Sequence, residues 1–130
     1  MKHLAVLSAA LAALIGSARA QDARTFSPYA YAPTVGTTPA QVAPANPLRK
    51  KIIFFNPNAS AKVAICLPTT RGGGAQIACA IGGSGSVTLL PYGSFELDAG
   101  AVGNGAMTMG SAWNGVADTP SSALTVIEME

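Results

Sequence analysis

The chain is punctuated. Past Pro47, runs such as KIIFF, VAIC, SVTLL and SFELD are each ended within a few residues by Asn-Pro, Gly-Gly, Pro-x-Gly or the like, and LTVIE follows the turn residues Asp118-Thr119-Pro120-Ser121. Several alternate: Val63, Ile65 and Leu67 fall on one side, Phe95 and Leu97 on the side opposite Glu96 and Asp98. Short alternating runs bounded by turn residues are strands, and no segment past the first twenty residues keeps the 3.6-residue period that an amphipathic helix needs. The order predicts six or seven strands: Arg49–Asn56, Lys62–Leu67, Ala75–Ile81, one around Val87 and Leu89, one around Phe95 and Leu97, one marked by Met107, Met109 and Trp113, and Leu124–Glu128. The expected fold is all-β, a single small antiparallel β-sandwich, with jelly-roll and immunoglobulin-like arrangements both open.

Residues 1–20 carry a different pattern. Lys2 and His3 precede the apolar run Leu4–Gly16, and Ser17-Ala18-Arg19-Ala20 ends in the small-x-small signature of signal peptidase. That run is short for a bilayer span, so a secretory leader cut after Ala20 is expected. Residues 21–47 hold five of the nine prolines and no useful period, which reads as an extended Pro/Ala-rich arm or linker. The aromatics Phe26, Tyr29 and Tyr31 lie along it and need burial somewhere, so they are expected at an assembly interface together with Phe54 and Phe55. The β-sandwich domain is expected over residues 48–130.

Charge excludes more than it suggests. Lys2 and Arg19 are two of the eight basic residues, so the segment after the leader carries six basic and six acidic groups. A neutral chain offers no electrostatic case for nucleic acid. Charged residues make up 11% of the chain, a little under half the usual share, which suits a surface covered by neighbours. The triplet Arg49-Lys50-Lys51 is the one dense cationic cluster, expected as a solvated strand start that discourages edge pairing.

Catalytic sets do not assemble. His3 is the single histidine and lies in the leader, so no Ser-His-Asp triad can form after its removal. Gly82-Gly83-Ser84-Gly85-Ser86 lacks the closing glycine of a nucleophile elbow and the Lys-Ser/Thr of a P-loop. Glu96 and Asp98 share a strand face, and with Asp118 are the carboxylates a hydrolase would have to use, but they alternate like any half-exposed strand. Asn58-Ala59-Ser60 matches a glycosylation sequon, and Trp113 is a sugar platform or, more in keeping with its strand, a core residue. No catalytic residue, metal, cofactor, small-molecule substrate or nucleic-acid partner is expected. Membrane contact is expected only through the leader. Cys66 and Cys79 have no zinc spacing, and an even count in an exported chain favours a disulfide, with two buried thiols as the alternative.

Three stretches in order carry a resemblance: TVGTTPAQVAPANPLRKKIIFFNPNAS, GSVTLLPYGSFELD and GSAWNGVADTPSSALTVIEME. They resemble the opening strand, the Pro-x-Gly hairpin and the closing Trp-Asn and LTVxE strands of small β-sandwich virion proteins of tailed phages and prophages, of the head-decoration or fibre type. The resemblance covers about half of the chain and rests on strands and turns. It implies a non-enzymatic capsid-decoration, minor-capsid or fibre component that contacts virion proteins and copies of itself as an oligomer, often a trimer. The leader suits a second expectation: an exported bacterial module for periplasmic or cell-surface binding or adhesion, with loops around Arg71–Gly74 and Ala99–Gly105 as its contact sites. The expected location is accordingly the virion, or the periplasm or exterior after cleavage.

Overall fold

A computed structural model describes residues 27–67, 78–98 and 110–130. These form ten strands: β1 (Pro28–Tyr31), β2 (Thr34–Val35), β3 (Ala40–Ala43), β4 (Lys51–Phe55), β5 (Val63–Cys66), β6 (Ser86–Leu89), β7 (Ser94–Asp98), β8 (Trp113–Ala117), β9 (Ser122–Ala123) and β10 (Thr125–Met129). One sheet runs β1-β10-β4-β7, the other β3-β8-β5-β6, and β2 pairs with β9 beside them. All pairings are antiparallel. Strands that follow one another along the chain mostly fall in opposite sheets, and only β5 and β6 pair as sequence neighbours. Two four-stranded sheets wound in this way are a jelly roll, which decides between the two sandwich arrangements.

Residues 28–43 are not an arm outside the domain. They supply β1 and β3, an edge strand of each main sheet, and the short β2. Proline misled the reading because of where it sits. Pro28 opens β1, Pro33 separates β1 from β2, and Pro39 and Pro44 flank β3. Edge strands and strand ends are the places where a missing N–H does no harm. Part of β3 carries a bulge between Gln41 and Ala43, and the extra residue Val42 is buried. Its Cγ1 lies 2.7 Å from where a side chain on Gly115 would begin, so that close approach requires glycine.

The Pro-x-Gly hairpin that the resemblance implies is instead a corner between sheets, and so is the connection after Phe55. Lys51–Phe55 lies in one sheet and Val63–Cys66 in the other, and the same holds for Ser86–Leu89 and Ser94–Asp98. At Leu90-Pro91-Tyr92-Gly93 the Gly93 amide donates to the Leu90 carbonyl at 2.8 Å, and Tyr92 has φ of 59°. Proline at the second position of that turn forbids the primed turns that match hairpin twist and leaves a type II turn, which splays its flanking strands. The chain therefore leaves the sheet. The Asn56–Lys62 connection contains no Asn-Gly or Asp-Gly pair and also crosses over.

The core lies between the sheets. Ile52 and Phe54 of β4, Val63 and Ile65 of β5, Leu124 and Val126 are fully buried, with Trp113 against Phe54 and Phe95 at ring separations of 5.2 and 6.2 Å. Trp113 is thus a core residue and not a sugar platform. Ala78–Ile81 forms no strand, and Met107, Met109 and the leader lie outside the described residues. Phe54→Ala is expected to cost about 3–5 kcal/mol in urea denaturation, and Phe55→Ala clearly less, because Phe55 is only half-buried.

Candidate functional site

The basic triplet divides residue by residue. Lys50 is exposed, Lys51 is half-buried and pairs with Glu96, and Arg49 is buried with 3% of its surface exposed. Arg49 is therefore not a solvated strand start. Its Nη2 donates to Glu128 Oε1 at 2.7 Å and to the Pro44 carbonyl at 2.7 Å, and Nη1 donates to the Ser111 carbonyl at 2.9 Å. Tyr31 Oη donates to the same Glu128 oxygen at 2.6 Å, and Asn46 Nδ2 donates to Glu128 Oε2 at 2.9 Å and Glu130 Oε1 at 3.0 Å. This network joins β1, β10 and the segments before β4 and β8. Each partner satisfies the charge or dipole of another, which a buried ion pair requires.

Burial by itself pushes the Glu128 carboxyl up, but hydrogen bonds from Arg49, Tyr31 and Asn46 and the Arg49 charge outweigh it and hold the group below its ordinary value. Burial and the bond to Glu128 push the Tyr31 phenol well above its ordinary range. Sequence reading missed this site because Glu128 stands 79 residues from Arg49. A signal was present: Glu128 has the parity of Val126, which faces the core.

At the opposite end of β4, Asn56 is fully buried. Its Nδ2 donates to the carbonyls of Ala61 (2.8 Å), Leu89 (3.1 Å) and Leu90 (3.0 Å), and its backbone N–H donates to Gly93 at 2.9 Å. One amide thus ties two corners together. The sequon residue Asn58 is engaged as well: its Nδ2 donates to Asn56 Oδ1 and the Ala123 carbonyl, and its Oδ1 accepts from the Ala123 amide. Asp118 accepts from the Lys62 amide at 2.9 Å, on the other sheet from Glu96 and Asp98. The three carboxylates considered for hydrolysis do not converge. Among the described residues no group of three or more His, Cys, Asp or Glu is placed to hold a metal.

Cys66 and Cys79 are joined by a disulfide with Cα atoms 5.7 Å apart. Cys66, Ala64 and Val116 face outward from the β3-β8-β5-β6 sheet, and residues 78–85 lie over them, with Ile81 against the cluster. The Ala80 and Gly82 amides donate to Ser86 Oγ (3.2 Å) and Thr88 Oγ1 (2.8 Å) of β6. The bridge fastens this flap, so the apolar centre of that outer face is covered by its own chain, while Gln41 on the β3 edge stays exposed.

The other sheet differs. Its outward rows are Pro28-Met129-Lys51-Asp98, Ala30-Ile127-Ile53-Glu96, and Thr125-Phe55-Ser94. Ile53, Phe55, Ile127 and Met129 are half-exposed at its centre, while Ala30 on one edge and Glu96 on the other are exposed. Of the residues expected at an interface, Phe55 lies on this face. Phe54 is in the core and cannot touch a partner. Tyr29 is 65% exposed beside Tyr31 (rings 5.4 Å apart), Tyr31 is held by Glu128, and Phe26 lies outside the described residues.

No protein-family model and no curated protein matches the chain. A solved structure described as "Bacillus endospore appendages form a novel family of disulfide-linked pili" is similar at 10% identity, with 80% of this chain and 81% of that one covered and a TM-score of 0.44. A likeness of that size decides neither architecture nor role; the strand order does the former.

Three measurements check these assignments. Arg49→Gln is expected to cost about 3–5 kcal/mol in chemical denaturation, while Lys50→Gln next to it is close to neutral. A lowered Glu128 pKa contributes stability above the ordinary carboxylate value of 4.5 and loses it as pH falls through the folded value, so unfolding should ease below about pH 4.5, less steeply in Glu128→Gln. Replacing Cys66 and Cys79 together by serine should cost about 3 kcal/mol, given a loop with a sequence separation of 13.

Proposed function

We propose that the chain is a non-enzymatic structural protein that acts through protein–protein contacts and matures in an oxidising compartment. The half-exposed apolar rows on the outer face of the β1-β10-β4-β7 sheet carry the proposal. A sheet face with Ile53, Phe55 and Ile127 at its centre is built to be covered, whereas the apolar centre of the opposite sheet's outer face already has its cover. The polar groups that would interest a chemist are spent on architecture: Arg49, Glu128, Tyr31 and Asn46 hold one another, and Asn56 and Asn58 hold the corners. The disulfide favours an exported or surface location, since such bridges persist outside the reducing cytoplasm.

A second reading has its own observation. The jelly-roll strand order is an architecture of viral capsid proteins, and with the sequence resemblance it supports a virion component of the decoration, minor-capsid or fibre type. Fold analogy alone supplies that support. Fractionation separates the two. Recovery from the periplasm or cell surface as a chain starting at Gln21 and oxidised at both cysteines favours the exported role. Stoichiometric co-sedimentation with phage particles favours the virion role. An uncut, reduced chain free in the cytoplasm would overturn the exported reading.

A further inference from the structure

We infer that the outer face of the β1-β10-β4-β7 sheet receives a second copy of this chain, face to face, about a two-fold axis parallel to the strands. The inference rests on the assembly role proposed above and specifies its partner and geometry. The face is polarised across its strands. Edge strand β7 presents Glu96 and Asp98, edge strand β1 presents only Pro28 and Ala30, and the apolar residues lie on β10 and β4 between them.

Two copies facing one another can be related in two ways. An axis perpendicular to the strands lays β7 on β7, sets Glu96 against its own copy, and presses Lys51 onto Phe55. An axis parallel to the strands lays β7 on β1 and β10 on β4. Glu96 then opposes Ala30, Ile127 opposes Ile53, Phe55 opposes Thr125, and Met129 takes the aliphatic stem of Lys51, whose ammonium stays with its own Glu96. The central isoleucines meet one another, and no carboxylate meets its like. Sheets packed face to face keep their strands within about 30° of each other, which this arrangement satisfies.

Strand geometry bounds the strength. Four strands about 4.8 Å apart and five residues long at about 3.4 Å per residue offer about 300 Å² of flat face. A stable pair buries about 800 Å² on each partner. The contact is therefore weak in isolation.

Sedimentation of the full-length, disulfide-intact protein over a concentration series up to about 1 mM reads the association directly. Ile53→Thr with Ile127→Thr should abolish it, and thermal unfolding by circular dichroism confirms that the doubly substituted chain stays folded. The edge then reports the axis. Ala30→Lys, at an exposed edge position, should tighten association about fivefold at low salt by meeting Glu96 of the second copy, an effect lost at about 0.5 M salt, and Ala30→Glu should weaken it by a similar factor. If both Ala30 variants weaken association, equal edges meet, and the parallel axis is overturned while the assembly face stands. If the folded threonine variant associates like the parent, or the parent stays monomeric throughout, this face does not receive a second copy. In that last case, capture of a different protein through Ile53 and Ile127 would leave the assembly role standing without this partner.

Discussion

The Arg49–Glu128 ion pair closes the fold. Glu128 lies on the last strand, between β1 and β4, and its carboxylate takes a phenol from β1, a guanidinium from the segment before β4 and an amide from Asn46. The first, fourth and tenth strands are thereby fixed to one another at one end of the sandwich. A buried pair of this kind adds little net stability over a well-fitted apolar substitute. It penalises any register in which a partner is missing. Strand β10 can pair with β4 in other registers at modest cost to hydrogen bonding, but a slip of one residue would turn Glu128 outward and leave Arg49 buried without its carboxylate.

The far end is governed by one neutral side chain. Asn56 reaches three carbonyls across two corners, Leu89 and Leu90 on one and Ala61 on its own. The bonds to Ala61 and Leu89 are buried where the chain leaves a sheet, and the Leu90 carbonyl accepts from the Gly93 amide as well. Asn56 at one end and Arg49 at the other flank the same strand, β4, whose Ile52 and Phe54 form the centre of the core. The stretch RKKIIFFN is thus a polar anchor, an apolar strand and a second polar anchor.

Class and layer count were legible in the residues; order was not. Alternation in VAIC, SVTLL and SFELD and the compact run of bulky β-formers in KIIFF exposed the strands, because burial on one face imposes a period of two and burial on both a continuous apolar run. Strand partners are a different matter. Apart from β5 with β6, every pairing joins segments far apart in the chain, and nothing local in β4 names β10 and β7 as its neighbours. Turn chemistry came close: Pro91 at the second position of its turn excludes the primed turns of a tight hairpin, and the positive φ of Tyr92 then selects type II. Proline density masked β1 and β3, which tolerate it as edges. Arg49 looked solvated because two exposed or half-exposed lysines follow it, and its carboxylate lay at the other end of the chain.

The two outer faces then follow from how the chain spends its loops. Residues 78–81, ahead of β6, lie over the β3-β8-β5-β6 sheet, and the Cys66–Cys79 bridge fixes them on Ala64 and Val116. Those are small residues, which suits a face sealed by a close-lying segment of backbone. Bulky Ile53, Phe55 and Ile127 occupy the other outer face, and burying each completely is worth about 1.5–3 kcal/mol relative to full exposure. Half-exposed, they leave part of that free energy unused in the monomer. Removal of the flap would not create an equivalent site, because Ala64, Cys66 and Val116 have too little apolar surface to hold a neighbour. The asymmetry between the faces is therefore one of side-chain size as well as of cover, and it directs association to one sheet of the two.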